Sequence, residues 1–553
     1  MPQSLGDDTP FGEPQPPSAP VSSSRKFPGA DYVVVLLVIL LFASIRYRLR
    51  DLPLERDEGE YAYAGQLILQ GVPPYQLAYN MKLPGTYVAY AAMIALFGES
   101  PAGLHIGLIF VNAISIVLVF LITRKLFDPL AANVAAAAFG LFTIRPQLFG
   151  LAGHATHFVV LAALASILLL LKSRETHRTG LLFAAGLCAG IAFLMKQPGI
   201  FFVLFGIVYI ASLHRRSSSA QPPLLRGLFA FSAGSILPYA FTCLLLAWAG
   251  VFANFWFWTF SYARAYGSEV SFRQALHYFA ARMSFLTKDA VLLWVFIVLG
   301  MAAFLWEVRL KQHAPFVLAL LACSFLAVSG GFYYRAHYFI LIYPALTILA
   351  GVGVSAAASL VRRASAAKLA AALPVLLFAV AFAGPLFAER RLYFQESADA
   401  ACREIYGDVP FPQALGIGKF IEQHSDPRSR IAVLGSEPEI YFYAKRLSAT
   451  GYLYTYPLME DQPFAEAMQQ QFIREVESQK PEIIVSVMIL ESWGRRPDSK
   501  DLVLRWADSY LRANYSFIGI ADGGNHDIYR WGPAAASYRP RRAAVLLVFR
   551  RNP

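Results

Sequence analysis

A chain of 553 residues in which 57% are hydrophobic, 14% aromatic and only 15% charged, with positive mean hydropathy, has the composition of a polytopic membrane protein and not of a soluble one of this length. Its formal net charge of +12 falls in short Lys/Arg clusters between apolar runs and reads as a topological signal, and no basic helix with interleaved aromatics points to nucleic acid. Cys188, Cys243 and Cys323 lie in apolar runs and Cys402 stands alone in the polar C-terminal part, so there is no disulfide pair there and no CxxC spacing for a metal.

In chain order, residues 1–27 are rich in Pro, Ser and Asp and predict a disordered cytoplasmic tail. Arg25, Lys26 and the apolar run from Tyr32 to Ile45 have the outline of a signal peptide, but the long preceding tail and the lack of a small-residue cleavage site favour a retained anchor. A crossing helix takes about 20 mostly apolar residues. On that measure the chain predicts eleven spans, near 28–47, 103–123, 129–149, 154–172, 179–195, 197–213, 227–250, 289–306, 314–331, 337–359 and 368–388. The shorter apolar run from Leu83 to Phe97, opened by Pro84 and Gly85, reads as an interfacial helix.

Leaving that run out of the count puts Arg124/Lys125, Lys172/Arg174/Arg178, Arg215/Arg216/Arg226, Arg309/Lys311 and Arg362/Arg363/Lys368 on the side of Arg25/Lys26, which the positive-inside rule makes the cytoplasm. The expectation is a multi-pass protein of the cell's inner membrane, with a cytoplasmic N-terminus and an extracytoplasmic C-terminal part. Arg46, Arg48 and Arg50, just beyond the first span, run against the rule.

This topology gathers on the outer face Asp57, Glu58 and Lys82 of the first outer loop (48–102), His154 and His157, Lys196, the aromatic stretch from Phe252 to Lys288, and Tyr333, Tyr334, Arg335, His337 and Tyr338. Ionisable residues near span ends are costly unless they face water or a ligand, so their convergence points to a site for an anionic group at that surface. In the first loop, Tyr61, Ala64 and Ile68 follow Asp57 at helical spacing, and Lys82 stands just before Pro84 and Gly85. Asp57 with Glu60 also fits a capping box, and Lys82 also fits an anchor snorkelling to the interface. The anchor reading competes at Lys196 in FLMKQPG and at Arg335 and His337 in YYRAHYF. The two His of GHATHF, an i, i+3 pair without further ligands, read as polar residues of a tight loop and not as a metal site.

After about Ala388 the composition turns mixed polar. RIAVLGS (430–436) and PEIIVSV (481–487) read as buried strands, with helical patterns at 437–445 and 464–477 between them. Residues 389–553 thus predict a soluble extracytoplasmic α/β domain behind a membrane domain at 28–388. There is no Gly-rich phosphate fingerprint, and Gly523 to Asn525 reads as a turn.

RDEGEYAYAGQ, MKLPGTYVAY, the loop after the third span, KQPG and RAHYFILIYPAL together resemble the bacterial branch of the GT-C glycosyltransferases, similar to protein O-mannosyltransferases and to the aminoarabinose transferase of lipid A in glycosyltransferase family 39. The likeness runs from about Arg25 to Leu386 and is most specific in the first loop. It implies a multi-span enzyme whose first outer loop carries a catalytic Asp, matched by Asp57, and a Lys, matched by Lys82, that contacts the phosphate of a polyprenyl-linked sugar. Glu58, Tyr61, Lys196, Arg335, His337 and Tyr338 join Lys82 in the substrate-binding set, and no residue is assigned to a metal. Family members often carry an acidic residue in the second outer loop, where this chain has His157; that departure argues against a two-carboxylate or metal-dependent mechanism, and the need for a divalent metal stays open.

Nucleotide sugars are cytoplasmic whereas the ionisable residues converge outside, so an external transferase needs a sugar that has already crossed the membrane on a lipid carrier. The expectation is inverting transfer from a polyprenyl-phosphate sugar to a hydroxyl of a protein, lipid or glycan acceptor. Asp57 would be the base, strengthened by desolvation, with Lys82 and Arg335 against the leaving phosphate. The competing readings are a transporter or flippase, and a polymerase or ligase, of lipid-linked saccharides. A transporter favours a midplane site in repeated halves, and no repeat is visible.

Overall fold

The structure, a computed structural model, describes residues 29–216, 223–364, 370–523, 527–541 and 545–553. The expected tail at 1–27, with Arg25 and Lys26, lies outside the described residues, as do Lys368 and Asn525. Most described residues are helical, and a helix lies on each of the eleven stretches expected to span. Pro101–Leu126, Ala155–Thr176, Leu224–Trp248, Tyr343–Ala364 and Ala370–Ala388 are long and apolar enough to cross a membrane. Pro129–Ile144, Thr179–Met195 and Ala314–Val328 are apolar but shorter, and Phe272–Thr287 meets Val291–Trp306 at a bend of 110°. Leu224–Trp248 turns Leu225 (81% exposed) and Trp248 (89%) outward. Such a face is matched to hydrocarbon and would be an aggregation liability in water.

The basic clusters meet at one end of the bundle. There Arg124 pairs with Asp31 at 2.6 Å, Lys125 with Glu175 at 2.6 Å and Arg363 with Glu307 at 2.8 Å. The three arginines that ran against the charge rule are at the other end and are built in. Arg46 donates to the carbonyls of Thr143 (2.8 Å) and Gly150 (2.9 Å), and Arg48 to those of Leu392, Tyr393 and Glu396. Arg50 stacks on Tyr47, 4.3 Å from the ring centre. Arginines engaged with backbone carbonyls and a ring close the ends of helices, a role separate from topogenic charge.

Beyond Ala388 the chain forms a six-stranded sheet of β1 (Arg430–Leu434), β2 (Leu447–Ser448), β3 (Ile483–Val487), β4 (Tyr515–Asp522), β5 (Ile528–Trp531) and β6 (Val545–Arg551), in the order β2-β1-β3-β6-β4-β5. The two expected strands are β1 and β3, parallel neighbours in the register Val433 to Val485, with helices at Glu439–Ala444 and Ala465–Gln479 between them. Both are nearly wholly buried, which is why they read as continuous apolar runs. The antiparallel half, β6 between β3 and β4 with β5 outside, was not anticipated. The parallel half sits on the first loop: Tyr61, Tyr63, Tyr87 and Tyr90 share one apolar core with Ile440, Tyr441, Leu453 and Val485.

Candidate active site

The first-loop helix is Arg56–Leu69, and its cap is Glu55, whose carboxylate accepts from the Glu58 N–H at 2.9 Å. The capping-box reading of Asp57 and Glu60 is therefore corrected. The orphan amides of the first turn are served one residue before the helix, and Asp57, already inside it, is free to face elsewhere. It faces Lys82, whose Nζ donates to Asp57 Oδ1 at 2.7 Å and to Glu60 Oε2 at 2.5 Å. The same ammonium lies 4.6 Å from the ring centre of Tyr61 and 5.3 Å from that of Tyr454. Glu60, with no exposed side-chain surface, also accepts from Tyr87 Oη at 2.5 Å. A snorkelling lysine would carry its charge to water, whereas this one is held by two carboxylates and two rings.

Burial raises the Asp57 carboxyl, but the Lys82 ammonium and His154 outweigh it and hold the group well below the usual carboxylate range. The expectation that desolvation strengthens this base is thus overturned for the resting site: charge pairing wins. Glu55 goes the other way, with burial and the Asp57 charge pushing its carboxyl up to about 7.

From Asp57 a continuous path of contacts crosses three loops. His154 Nδ1 stands 3.7 Å from Asp57 Oδ2 and 3.6 Å from Glu55 Oε1, and its ring stacks on His337 at 4.0 Å. His337 meets Tyr338 edge-on at 4.8 Å, and Lys196 Nζ lies 4.0 Å over the Tyr338 ring. Arg335 borders the path, donating to Tyr266 Oη at 3.1 Å with Tyr333 beneath it. Tyr61, Lys82, Lys196, His337 and Tyr338 are thereby brought to Asp57.

Glu58 is not. Successive helix residues do not face one way, and Glu58, fully buried, turns into the bundle to meet His105 Nε2 at 3.1 Å and the Gly153 N–H at 2.5 Å. Its place is a brace between the first loop and the loop after the third span. His157 also turns inward, buried within Ala155–Thr176, and it is His154, at the cap of that helix, that approaches Asp57. The i, i+3 spacing is thus not what gathers. Asp57, His154 and His337 offer donor atoms all within 4.8 Å of one another and could together hold a divalent cation.

The remaining motifs fix these loops. Gln197 of KQPG donates to the Met81 carbonyl at 2.6 Å, Thr86 donates to the Met195 carbonyl at 2.8 Å, and Tyr90 donates to the Gly153 carbonyl at 2.7 Å. The C-terminal part closes the site. Arg56 is bound by Glu437 Oε1 (2.8 Å) and the Ser436 carbonyl (3.0 Å), while Tyr454 Oη donates to the Arg56 carbonyl at 2.9 Å. The Gly59 backbone lies so close to Glu439 that an added Cβ would fall 2.6 Å from it. Glu60 as a partner of Lys82 was legible in its one-turn spacing from Asp57; Tyr454, hundreds of residues away, had no local signal.

A family profile described as dolichyl-phosphate-mannose-protein mannosyltransferase matches residues 82–239. No curated protein sequence matches the chain. Among solved structures, ArnT from Cupriavidus metallidurans bound to undecaprenyl phosphate is similar over 94% of this chain and 98% of its own, at 16% identity and a TM-score of 0.58. The oligosaccharyltransferase of Archaeoglobus fulgidus is similar over 92% of this chain and 75% of its own, at 14% identity and a TM-score of 0.50. At these identities the likeness is one of fold. With the profile match on the segment that carries Lys82, it bears out the resemblance of this chain to the GT-C glycosyltransferases of the protein O-mannosyltransferase kind.

Proposed function

We propose that the protein moves a sugar from a polyprenyl-phosphate donor to an acceptor hydroxyl at the outer membrane surface, with inversion. Residues 28–388 would form eleven spans and 389–553 an extracytoplasmic domain, in the inner membrane with the N-terminus inside. The observation that carries this reading is the half-buried Asp57–Lys82 contact of 2.7 Å at the end of the apolar bundle away from the basic clusters. Lys196 and Arg335 stand on the adjoining loops. The relative of like fold from Cupriavidus metallidurans holds undecaprenyl phosphate, which supports a lipid phosphate as donor here.

The pairing suggests an order of events. While Lys82 is bound to Asp57, the carboxylate is a weak base. A donor phosphate that takes up the Lys82 charge would release Asp57 to receive the acceptor's proton as the C–O bond to phosphate breaks. Lys82, Lys196 and Arg335 would then stabilise the leaving phosphate. A site at one end of the bundle, and not at its middle, favours transfer over transport.

Because Glu55 is the cap, Asp57→Asn should leave the helix intact. In membranes supplied with a panel of undecaprenyl-phosphate-linked sugars, the expected result is a fall in transfer of at least about 10²-fold with undecaprenyl phosphate still bound. Transfer at the parental rate would remove Asp57 from the chemistry and return the transporter reading.

A further inference from the structure

We propose that Tyr454 is a positioning residue of the transfer reaction, which makes the C-terminal domain a wall of the reaction site; the inference rests on the roles given above to Asp57 and Lys82. Tyr454 belongs to the segment that follows β2, and that segment is fixed to the first loop at several points. The Ser448 N–H donates to Tyr63 Oη at 2.7 Å, and the Tyr79 N–H donates to the Gly451 carbonyl at 2.6 Å. Gly451 lies under the Tyr79 ring, where a Cβ would come within 2.3 Å of ring carbons. The segment therefore cannot shift without moving residues 79–82, at whose end Lys82 stands.

Held this way, Tyr454 touches both partners of the central pair. Its hydroxyl donates to the Arg56 carbonyl at 2.9 Å, fixing the peptide that leads into Asp57, and lies 3.5 Å from Asp57 Oδ1. Its ring faces the Lys82 ammonium at 5.3 Å, as the Tyr61 ring does at 4.6 Å, so the cation meets two aromatic faces. Tyr456 stacks on Tyr454 at 5.7 Å with the rings 11° from parallel, and Arg56 is bound by Glu437 of the same domain. Hydroxyl and ring thus have separable tasks: the hydroxyl orients the base, and the ring holds the cation where a phosphate would meet it.

The separation sets the test, made on the full-length protein in detergent and membranes. Undecaprenyl phosphate is the binding probe, and turnover is measured with whichever undecaprenyl-phosphate sugar the parent transfers. Tyr454→Phe should keep undecaprenyl phosphate affinity within about twofold and lower kcat about tenfold. Tyr454→Leu should in addition weaken undecaprenyl phosphate binding by about 3- to 10-fold. Tyr452→Phe is the control for loosening of the segment, because that hydroxyl bonds Gln471 at 3.0 Å; it should match the parent. The proposal is overturned if both Tyr454 variants keep parental kcat and affinity while Asp57→Asn is inactive, a result that leaves the base assignment standing. It is also overturned if Tyr452→Phe costs as much as Tyr454→Phe, or if Tyr454→Leu loses kcat with unchanged affinity. An active Asp57→Asn would sink the base assignment and this inference together.

Discussion

Lys196 ends the helix Thr179–Met195 and packs its ammonium on the Tyr338 ring with no carboxylate in salt-bridge contact among the described residues. Burial lowers this lysine to about 7; the Asp57 charge opposes the fall, and Lys82 and Arg335 add to it. A lysine lowered in this way is charged below about pH 7 and loses its charge as the pH rises through that value. The phosphodiester of a polyprenyl-phosphate sugar keeps its negative charge throughout, so any change in recognition comes from the protein. The apparent KM for donor should therefore rise between pH 6 and pH 8, approaching tenfold if the charge is required, since a lysine of this kind goes from about nine-tenths to about one-tenth protonated across that span. Lys196→Met should flatten the profile at the weaker affinity; an equally steep profile in that variant would assign the dependence to another group. The sequence placed Lys196 on the outer face because KQPG breaks a helix there, but it carried no sign of the Tyr338 platform. Contacts between loops more than a hundred residues apart are set by helix packing, which periodicity does not encode. The same limit explains Glu58, chosen for its nearness to Asp57 in sequence and turned the other way by the helix.

At the scale of elements, the C-terminal part and the aromatic stretch from Phe252 to Lys288 meet through Glu460, which accepts from Tyr262. Burial, with a further push from Glu269, raises the Glu460 carboxyl to about 7 although the Tyr262 hydrogen bond opposes it. The sign follows from linkage: an acid raised in the folded state favours folding fully below its unfolded value near 4.5, and that contribution is lost as the pH rises through about 7. Each pH unit between the two values is worth about 1.4 kcal/mol, which caps the effect at about 3 kcal/mol. Glu460→Gln keeps an acceptor for Tyr262 and removes the titration. Its thermal midpoint in detergent should exceed the parent's at pH 8 and equal it at pH 4.5; a gain at both values would make the effect one of packing. The parallel half of the sheet was legible because β1 and β3 are buried on both faces and read as unbroken apolar runs. β4, β5 and β6 are mixed, with exposed positions such as Ser516 and Arg530 among buried and half-buried ones, and their pairing depends on partners far along the chain.

Orientation is a property of the whole molecule, and the charged residues at the two ends of the bundle bear on it. Arg124, Lys125 and Arg363 lie together at one end through their pairs with Asp31, Glu175 and Glu307, while the first loop, the proposed site and the sheet lie at the other. The exceptions Arg46 and Arg48 are engaged with backbone carbonyls and need not report on topology. On the positive-inside rule, the proposal is that the site and the C-terminal domain lie outside. Gly59, an obvious choice for a reporter in the first loop, cannot serve, because its backbone is pressed against Glu439. Exposed positions at the two ends can: Gln70 at the close of the first-loop helix, Gln470 on the helix Ala465–Gln479, and Val308, 74% exposed beside Glu307. In a background with the four native cysteines replaced, Gln70→Cys and Gln470→Cys should react with a membrane-impermeant thiol reagent in intact spheroplasts, and Val308→Cys only after permeabilisation. The reverse pattern would put the Asp57–Lys82 pair on the cytoplasmic face, where nucleotide sugars are at hand and a polyprenyl carrier is no longer required. Labelling of Gln70→Cys from outside but of Gln470→Cys only from inside would contradict the contact of Arg56 with Glu437, since two residues 2.8 Å apart cannot lie on opposite sides of a bilayer.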